Sequence, residues 1–318
     1  MVDSTTVVEG FKQATAPGDV DSLESQALFS WGLRKGVEYI TDMVNTVNCQ
    51  QIEAGNQWYP TNVAGNAPAD KVTVSFHPTN GIPFYALYGK ATHTTADTKQ
   101  TITNLDSGRK PRYKCAETLG ALSPHVVHGV VFHDGSFRWE KGGFLSLNMT
   151  GKGQKWEKVA YALSTPTMPT HASNSYPSDA FTVQDYFSWN SSNLVSSIMT
   201  EMKVSQTLAT SMGSSGYYDA ISDSSPIFTL FNIIYRTAES GVWDDFHAHT
   251  KRTLVWKMSK SASSTHYFTV TAANSLIVNC IPIKNFGEVI GFSAQILCEN
   301  PTIVCQDYVD DDRFAIPA

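Results

Sequence analysis

Alternation of apolar and polar residues is the main structural signal in this chain, and it predicts β-strands. In 71–78, KVTVSFHP, the apolar residues Val72, Val74 and Phe76 fall on one face. In 136–149, SFRWEKGGFLSLNM, two alternating runs flank Gly142-Gly143, which predicts a hairpin with its apolar side chains on one face: Phe137, Trp139, Leu145, Leu147 and Met149.

The second half of the chain repeats this character. Residues 226–235, PIFTLFNIIY, and 275–283, SLIVNCIPI, are β-branched and aromatic runs of strand length. Helical signals are short and confined to 81–90 and 239–252, each directly after a predicted strand. The pattern predicts an all-β protein with two short helices.

Polar and proline-rich stretches suggest the domain boundaries. Residues 1–25 are polar and irregular, which is typical of an arm that becomes ordered against a partner. Residues 163–180 hold Pro166, Pro169 and Pro177 among serines and threonines, so we predict a linker there. The predicted domains are therefore 26–162 and 181–318, a division that suits a chain of 318 residues.

Similar short blocks occur in the same order on both sides of the linker. The tripeptide FSW ends at Trp31 and again at Trp189, an offset of 158; Thr79 and Tyr85 have counterparts in Thr237 and Trp243 at the same spacing. ITDM at 40–43 resembles MTEM at 199–202, and Ser136 and Ser275 each introduce an alternating strand. These blocks predict a tandem duplication in which Trp31 and Trp189 are equivalent. The alternative is that alternation and turns recur in any all-β chain.

Composition and charge argue against several classes of function. Only 16% of residues are charged and the net charge is −6, which argues against a dedicated nucleic-acid binder. The first residues lack the pattern of a signal peptide, and no run approaches the roughly 20 apolar residues of a membrane-spanning helix. We expect free, mostly buried thiols in a reducing compartment for the five cysteines, which are Cys49, Cys115, Cys280, Cys298 and Cys305.

No residue pattern calls for catalysis. MTGKGQK at 149–155 lacks the spacing of a phosphate-binding loop and is typical of a turn. Metal-ligand types cluster in WDDFHAHT, but a solvated helix face or subunit contact is the favoured interpretation of Asp244, Asp245, His247 and His249. The run Asp310 to Asp312 is typical of a solvated tail. We therefore predict no catalytic, cofactor-binding or metal-binding residue, and no enzyme.

Residues 126–156, VVHGVVFHDGSFRWEKGGFLSLNMTGKGQKW, resemble the core hairpin of the major tail tube proteins of tailed viruses. Residues 72–91 are similar to the strand and helix that precede that hairpin in the family, and the second half shows the same order of elements. The resemblance covers most of 27–300. It implies two tandem antiparallel β-sandwich or rolled-barrel domains, each with a short flanking helix.

The resemblance also implies a structural role in the virion. Six tube domains form a ring whose inner sheets join, and stacked rings form the tube that DNA passes through. With two domains per chain, we predict a homotrimeric, pseudo-hexameric ring, stacked helically. On this prediction, the hairpins at 136–149 and 275–296 line or flank the lumen, and residues 1–25 contact the next ring. Edge strands are then covered by neighbouring copies, and a mildly acidic wall lets DNA slide.

The expected partners follow from that role. They are other copies of the chain, the tail terminator, baseplate and tape-measure proteins, and double-stranded DNA in transit without specific binding; no membrane is involved. The expected location is the virion tail, after assembly in the host cytoplasm. Two alternatives stay open. One is a baseplate or distal-tail ring or a decoration protein, and the other is a glycan-binding or glycan-cleaving β-sandwich that uses some of the seven Trp and thirteen Tyr.

Overall fold

The structure is a computed structural model, and it describes most of the chain. The described residues are 8–14, 19, 21–34, 40–45, 49–52, 61–64, 69–94, 99–105, 109–118, 124–167, 180–194, 197–212, 218–222, 225–235, 240–261, 265–285 and 288–307.

The described elements are twenty-two strands and two helices. The first half (residues 1–162) contains β1 (Val8–Gln13), β2 (Gly32–Arg34), β3 (Ile40–Asn45), β4 (Cys49–Ile52), β5 (Thr61–Ala64), β6 (Ala69–Pro78), α1 (Ile82–Tyr88), β7 (Gly89–Thr94), β8 (Lys99–Asn104), β9 (Tyr113–Thr118), β10 (His125–Glu140), β11 (Ser146–Lys152) and β12 (Lys155–Lys158). The second half (residues 181–318) contains β13 (Val183–Trp189), β14 (Ser192–Asn193), β15 (Ser197–Gln206), β16 (Ala209–Met212), β17 (Tyr218–Ser222), β18 (Ile227–Tyr235), α2 (Ser240–Ala248), β19 (Arg252–Ser259), β20 (Tyr267–Asn285), β21 (Glu288–Glu299) and β22 (Thr302–Gln306).

The all-β prediction is confirmed, and the predicted local elements are found. The hairpin about Gly142-Gly143 forms between β10 and β11, with Phe137 opposite Leu147. The two short helices lie within the predicted ranges 81–90 and 239–252. MTGKGQK is the end of β11, a connection and the start of β12.

Eighteen strands belong to one hydrogen-bonded system, and its named strand pairs are antiparallel. Its centre, which we call the central sheet, has the order β3–β6–β11–β10–β15–β18–β21–β20. The pairing of β10 with β15 joins the two halves, so one sheet runs through the whole chain.

The two longest strands leave the central sheet and enter a second layer. The first segment of β10 pairs with β9 and β12, and the first segment of β20 pairs with β19 and β22. The two layers face each other, since Phe231 of β18 packs edge-on against Trp256 of β19 with ring centroids 5.6 Å apart. Bulges in both long strands mark the change of layer, at Val127/Val130 in β10 and at Ala272/Ser275 in β20.

The core is continuous across both halves. One row of side chains crosses seven strands of the central sheet and is almost completely buried: Phe76, Leu147, Phe137, Met202, Phe231, Ile296 and Ile277. All seven belong to a single hydrophobic cluster. Burial of such a row stabilises the chain as one unit, because its neighbours come from both halves.

Helix α1 lies between the halves. Every residue of α1 is buried, and Gly89 ends the helix at a φ of +89°. The Tyr88 hydroxyl hydrogen-bonds to the Thr229 hydroxyl at 2.8 Å, and the Phe84 ring stacks on Phe137 at 4.2 Å. The hairpin β7–β8, which follows α1, pairs with β22 of the second half. Between α2 and β19, by contrast, there are only residues 249–251.

The second half repeats the strand pairing of the first in the same order. In both halves a first strand (β1 or β13) pairs with a partner of the long strand, two strands flank a separate hairpin, and a helix follows. Four strands then end each half, and in the first half the hairpin β7–β8 stands between the helix and those four. The register agrees residue by residue. Thr73, Thr150 and Asp134 lie side by side on β6, β11 and β10, and Asn232, Gln295 and Asn279 lie side by side on β18, β21 and β20.

Each strand therefore has a constant offset to its counterpart. Residues of β10, β11 and β12 correspond to residues 145 positions later in β20, β21 and β22. The offset is 159 from β6 to β18 and from residues 42–45 of β3 to β15, so Asp42 and Met43 of ITDM match Glu201 and Met202 of MTEM. A bulge at Thr41 of β3 takes Ile40 out of that register. From α1 to α2 it is 158, counted between the first helical residues.

The predicted match between Trp31 and Trp189 is wrong in strand position. Trp189 is the last residue of β13 and lies opposite Leu254; the residue in that register in the first half is Phe11, opposite Cys115. Trp31 lies outside the strands, before β2, and stacks on Phe11 with centroids 3.8 Å apart. Both tryptophans are buried in the same cluster. The repeated tripeptide FSW therefore marks two residues of the same core that do not occupy equivalent positions in the two halves.

Two other expectations change. The counterpart of Ser275 is Val130, because each residue marks the end of the bulge in its long strand; Ser136 lies further along β10. Val8–Gln13 form β1 and pair with β9, where the sequence predicts an irregular arm, because Phe11 fills the core beside Tyr113. Of the predicted linker, Thr167 forms a bridge to Phe29, and 168–179 lie outside the described residues.

Candidate assembly surface

The acidic and histidine cluster lies on and just after α2, and Asp245 is its buried member, held by internal hydrogen bonds, whereas Asp244, His247 and His249 are exposed. The Asp245 carboxylate accepts hydrogen bonds from the Arg252 guanidinium at 2.9 Å and from Trp189 Nε1 at 2.8 Å. The Arg252 hydrogen bonds lower the pKa of Asp245, against the opposing effect of burial. Asp244 and His247 lie on the same helix, and His249 follows it with a φ of +54°. The described residues contain no group of three ligands that could hold a metal ion. Asp310 to Asp312 lie outside the described residues.

The cysteines for which side chains are described are free and buried, as the sequence predicts. They are Cys115, Cys280, Cys298 and Cys305. Burial raises the pKa of the Cys280 thiol to about 11 and that of Cys298 to about 12. Such thiols are poor nucleophiles at neutral pH.

Aromatic residues are mostly used in the core. Four of the tryptophans are buried, namely Trp31, Trp139, Trp189 and Trp256. Among the described residues, the exposed large aromatic side chains are Phe144 and Phe228. A row of exposed rings of the kind that stacks on sugars is therefore not present in the described part of the chain.

The face of the central sheet that points away from the core is a regular surface that crosses both halves, and we call it the open face. In the first half its side chains are polar: Lys71, Thr73, Ser75, Asp134, Ser136, Arg138, Glu140, Asn148 and Thr150. Charges of both signs alternate and pair, as between Arg138 and Glu140 at 2.5 Å. The face thus carries no strong field of one sign in this half.

In the second half the open face is more apolar. Leu230, Leu297 and Leu276 lie side by side across β18, β21 and β20. Phe228 is 57% exposed and Ile281 is 54% exposed. Amide side chains form the neighbouring row, with Asn232 opposite Gln295 and Gln295 opposite Asn279. On β18, β21 and β20 the face thus offers aliphatic and amide groups at these positions, whereas Glu201 and Lys203 of β15 carry charge beside the junction of the halves.

A carboxylate network lies on the open face where the halves meet. Glu201 of β15 accepts hydrogen bonds from Ser136 of β10 at 2.7 Å and from Asn232 of β18 at 2.9 Å. Burial alone raises the pKa of Glu201, but these two bonds and the nearby Lys203 ammonium together lower it below its ordinary value. An ionised Glu201 therefore links three strands across the junction.

Both edges of the central sheet are open within the described part of the chain. At one end, β3 pairs only with β6. At the other end, residues 276–285 of β20 pair only with β21. Unpaired edges expose a row of backbone donors and acceptors to any strand that fits. The two edges, rather than a pocket, are the candidate functional feature of this molecule.

Comparison of the sequence with known protein families finds no family model that matches, and comparison with curated proteins finds no match. In the described residues, neither helix is long and apolar enough to span a lipid bilayer. The features that bear on function are therefore the central sheet, the register of its strands and its two edges.

Proposed function

We propose that this chain is a structural virion protein that assembles into rings, and that stacked rings form the tail tube through which viral DNA passes. The observation that carries the proposal is the central sheet: it joins both halves, repeats the same register in each and, among the described residues, ends in two open edges. A sheet of this kind can continue into another copy of itself.

The proposal includes a tandem duplication. The two halves are copies of one β-sandwich domain, with the first domain extended to include β1 and the second beginning before β13. Matching offsets in β10, β11 and β12 and in β3 and β6 support this, because unrelated β-domains have no reason to share register. Each chain then supplies two of six similar units, and three chains complete a closed ring.

The open face suits the wall of a channel for DNA. Its described charges are few and of both signs, and several pair with each other, as Lys203 does with Glu201 at 3.4 Å. Tight binding of DNA requires clustered positive charge, so such a wall lets the duplex slide. This surface is balanced in charge, which differs from the mildly acidic wall that the sequence suggests but serves the same purpose.

Electron microscopy of the purified full chain tests the proposal. Rings that stack into long hollow filaments support a tube, whereas rings that stay single support the baseplate or distal-tail alternative. A mass measurement on single rings should give three chains. Monomers at every concentration contradict assembly altogether, and six chains per ring contradict the stoichiometry.

A further inference from the structure

The chain contains a complete template for a junction between two units. Inside one chain, β10 pairs with β15 from Asp134 opposite Ser205 to Glu140 opposite Met199. The counterpart of β10 is β20, and the counterpart of β15 is β3. Those two strands are the open edges at opposite ends of the central sheet. Each chain thus carries both members of a second junction, and they are not paired with each other in the described residues.

We propose that β20 of one copy pairs with β3 of the next copy in the register that β10 and β15 adopt within the chain. This inference rests on the proposed ring. We add the offset between β10 and β20 to each β10 residue of the internal pairs and subtract the offset between β3 and β15 from each β15 residue. The results are the pairs expected between copies. They place Cys280 opposite Asn45, Ile281 opposite Val44, Pro282 opposite Met43 and Ile283 opposite Asp42, and the correspondence ends there because β3 has a bulge at Thr41 that β15 lacks.

The bulges support this register. In β10 the pairing with β15 begins at Asp134, directly after the residue skipped in the pairing with β11, His133. In β20 the skipped residue is Val278, and the corresponding stretch begins at Asn279. A bulge fixes which residues of a strand face which side, so it fixes the register of a new partner as well.

The exposed side chains at the β20 edge favour a second copy as the occupant. Ile281 and Val278 are 54% and 45% exposed, and aliphatic side chains on an open edge are an aggregation hazard unless another strand covers them. Measured along the sheet, eight strands span roughly 34 Å between the edges. Pro282 has no N–H, so the ladder loses at most one hydrogen bond there, which sheet edges tolerate.

Disulfide cross-linking tests the register. The double variant Ile281→Cys with Val44→Cys places one pair of thiols directly opposite each other between copies. The matched internal control is Ser136→Cys with Lys203→Cys, because Ser136 lies opposite Lys203 within one chain. Directly opposed residues have Cα atoms about 4.5 to 5.5 Å apart, which a disulfide can bridge. The native thiols of Cys280 and Cys298 are largely un-ionised at pH 8 and oxidise slowly.

We expect mild oxidation to link the Ile281→Cys/Val44→Cys chains into dimers and trimers on non-reducing gels, with no larger species from single rings. The internal control should become cross-linked while keeping the mass of one chain. Mixing the two single variants should give only dimers. The register control, Ile281→Cys with Asp42→Cys, is displaced by two residues, roughly 7 Å along the strand, and should cross-link at least tenfold less.

The outcomes separate this inference from the proposed function. If microscopy shows rings and the internal control cross-links but Ile281→Cys/Val44→Cys does not, the junction is wrong and the ring stands. If the Asp42 pair links in preference to the Val44 pair, the register is wrong. If no rings or oligomers form with any variant or with the native chain, the proposed function itself is overturned.

Discussion

The two halves of the central sheet pair their strands in the same register but carry different side chains on the open face. Lys71 and Lys152 in the first half correspond to Leu230 and Leu297 in the second. Ser75 and Ser136 correspond to Ile234 and Ile281, and charged or hydroxyl groups are replaced by aliphatic ones. The backbone pattern is therefore maintained by the core side, while the other face is free to diverge.

The helices show the same contrast inside the core. Leu87 of α1 is buried among apolar groups, and the matching position in α2 is Asp245, which is held by Arg252 and Trp189. At this position α1 is thus held by apolar packing and α2 by a charged hydrogen-bond network, although α1 has polar contacts elsewhere, such as the Gly81 N–H that donates to the Asp307 carboxylate. Apolar packing is indifferent to pH, whereas a carboxylate network is not.

The largest expected effect comes from the row of core residues that the halves share. Phe137→Ala removes a ring that is fully buried and stacked on Phe84, so we expect a loss of about 3 to 5 kcal/mol in the free energy of unfolding. Phe228→Ala, at an exposed phenylalanine, should change it by less than about 0.5 kcal/mol. Urea unfolding measures both.

The same experiment tests whether the halves are one folding unit. Because the core cluster includes residues of both halves, native chain and variants should unfold in a single transition, whether followed by tryptophan fluorescence or by circular dichroism. Two separated transitions, with Phe137→Ala shifting only one of them, would contradict a shared core.

A smaller effect is expected at the bulges where the long strands change layer. Gly129 of β10 has a φ of +62°, and its counterpart on β20 is Asn274, for which φ is not positive. Gly129→Ala introduces strain of about 1 to 3 kcal/mol, and its methyl group needs the Gln154 side chain to move. Asn274→Ala should stay within about 0.5 kcal/mol. Equal losses of unfolding free energy at both sites, measured by urea unfolding, would show that the positive φ of Gly129 does not distinguish the bulge of β10 from that of β20.

The smallest expected effect depends on pH and distinguishes the helices. The folded state lowers the pKa of Asp245, so its ionised form stabilises the fold at pH values above the unfolded pKa of about 3.9. That contribution is lost as the pH falls through the lower, folded pKa. Asp245→Asn should therefore be less stable than the native chain at pH 7 in urea unfolding, and the difference should shrink below about pH 4.

The matched control for that prediction is Asp244→Asn, on the exposed side of the same helix. It should stay within about 0.5 kcal/mol of the native chain at pH 7. A difference between native and Asp245→Asn chains that stays constant from pH 7 to pH 3 would mean that the Asp245 charge is not what holds α2.

Local patterns in the sequence predict local structure well. Alternation locates β6, β18 and the β10–β11 hairpin, because side chains in a strand point alternately to either face. The assignment of FSW as a matching position fails because strand partners lie far apart in sequence. Nothing in residues 29–31 shows that Phe11 already occupies the place beside β9. A repeated hydrophobic tripeptide therefore identifies core residues but not the position of each residue in the sheet.

The candidate assembly surface is likewise only partly predictable from local sequence. The sequence predicts the strands that form the central sheet, and the family resemblance suggests ring formation. That β10 pairs with β15, and that β3 and β20 form the two edges of the described central sheet, depends on tertiary pairing that no short segment encodes. The pairing of the β7–β8 hairpin with β22 likewise joins segments that are remote in sequence, so no local pattern predicts it.

The hairpin β7–β8 has a consequence for the cost of assembly. With β10 paired to β15 in one layer, β8 paired to β22 in the other and α1 between them, the angle between the halves is set when the chain folds. In the proposed ring each chain is a preformed arc of about 120°, and only three of six junctions form by association. Each association costs about 4 to 15 kcal/mol in lost translational and rotational freedom. A ring of three tandem chains forms in two such associations, whereas six single-domain subunits need five, so the tandem chain meets that cost less than half as often.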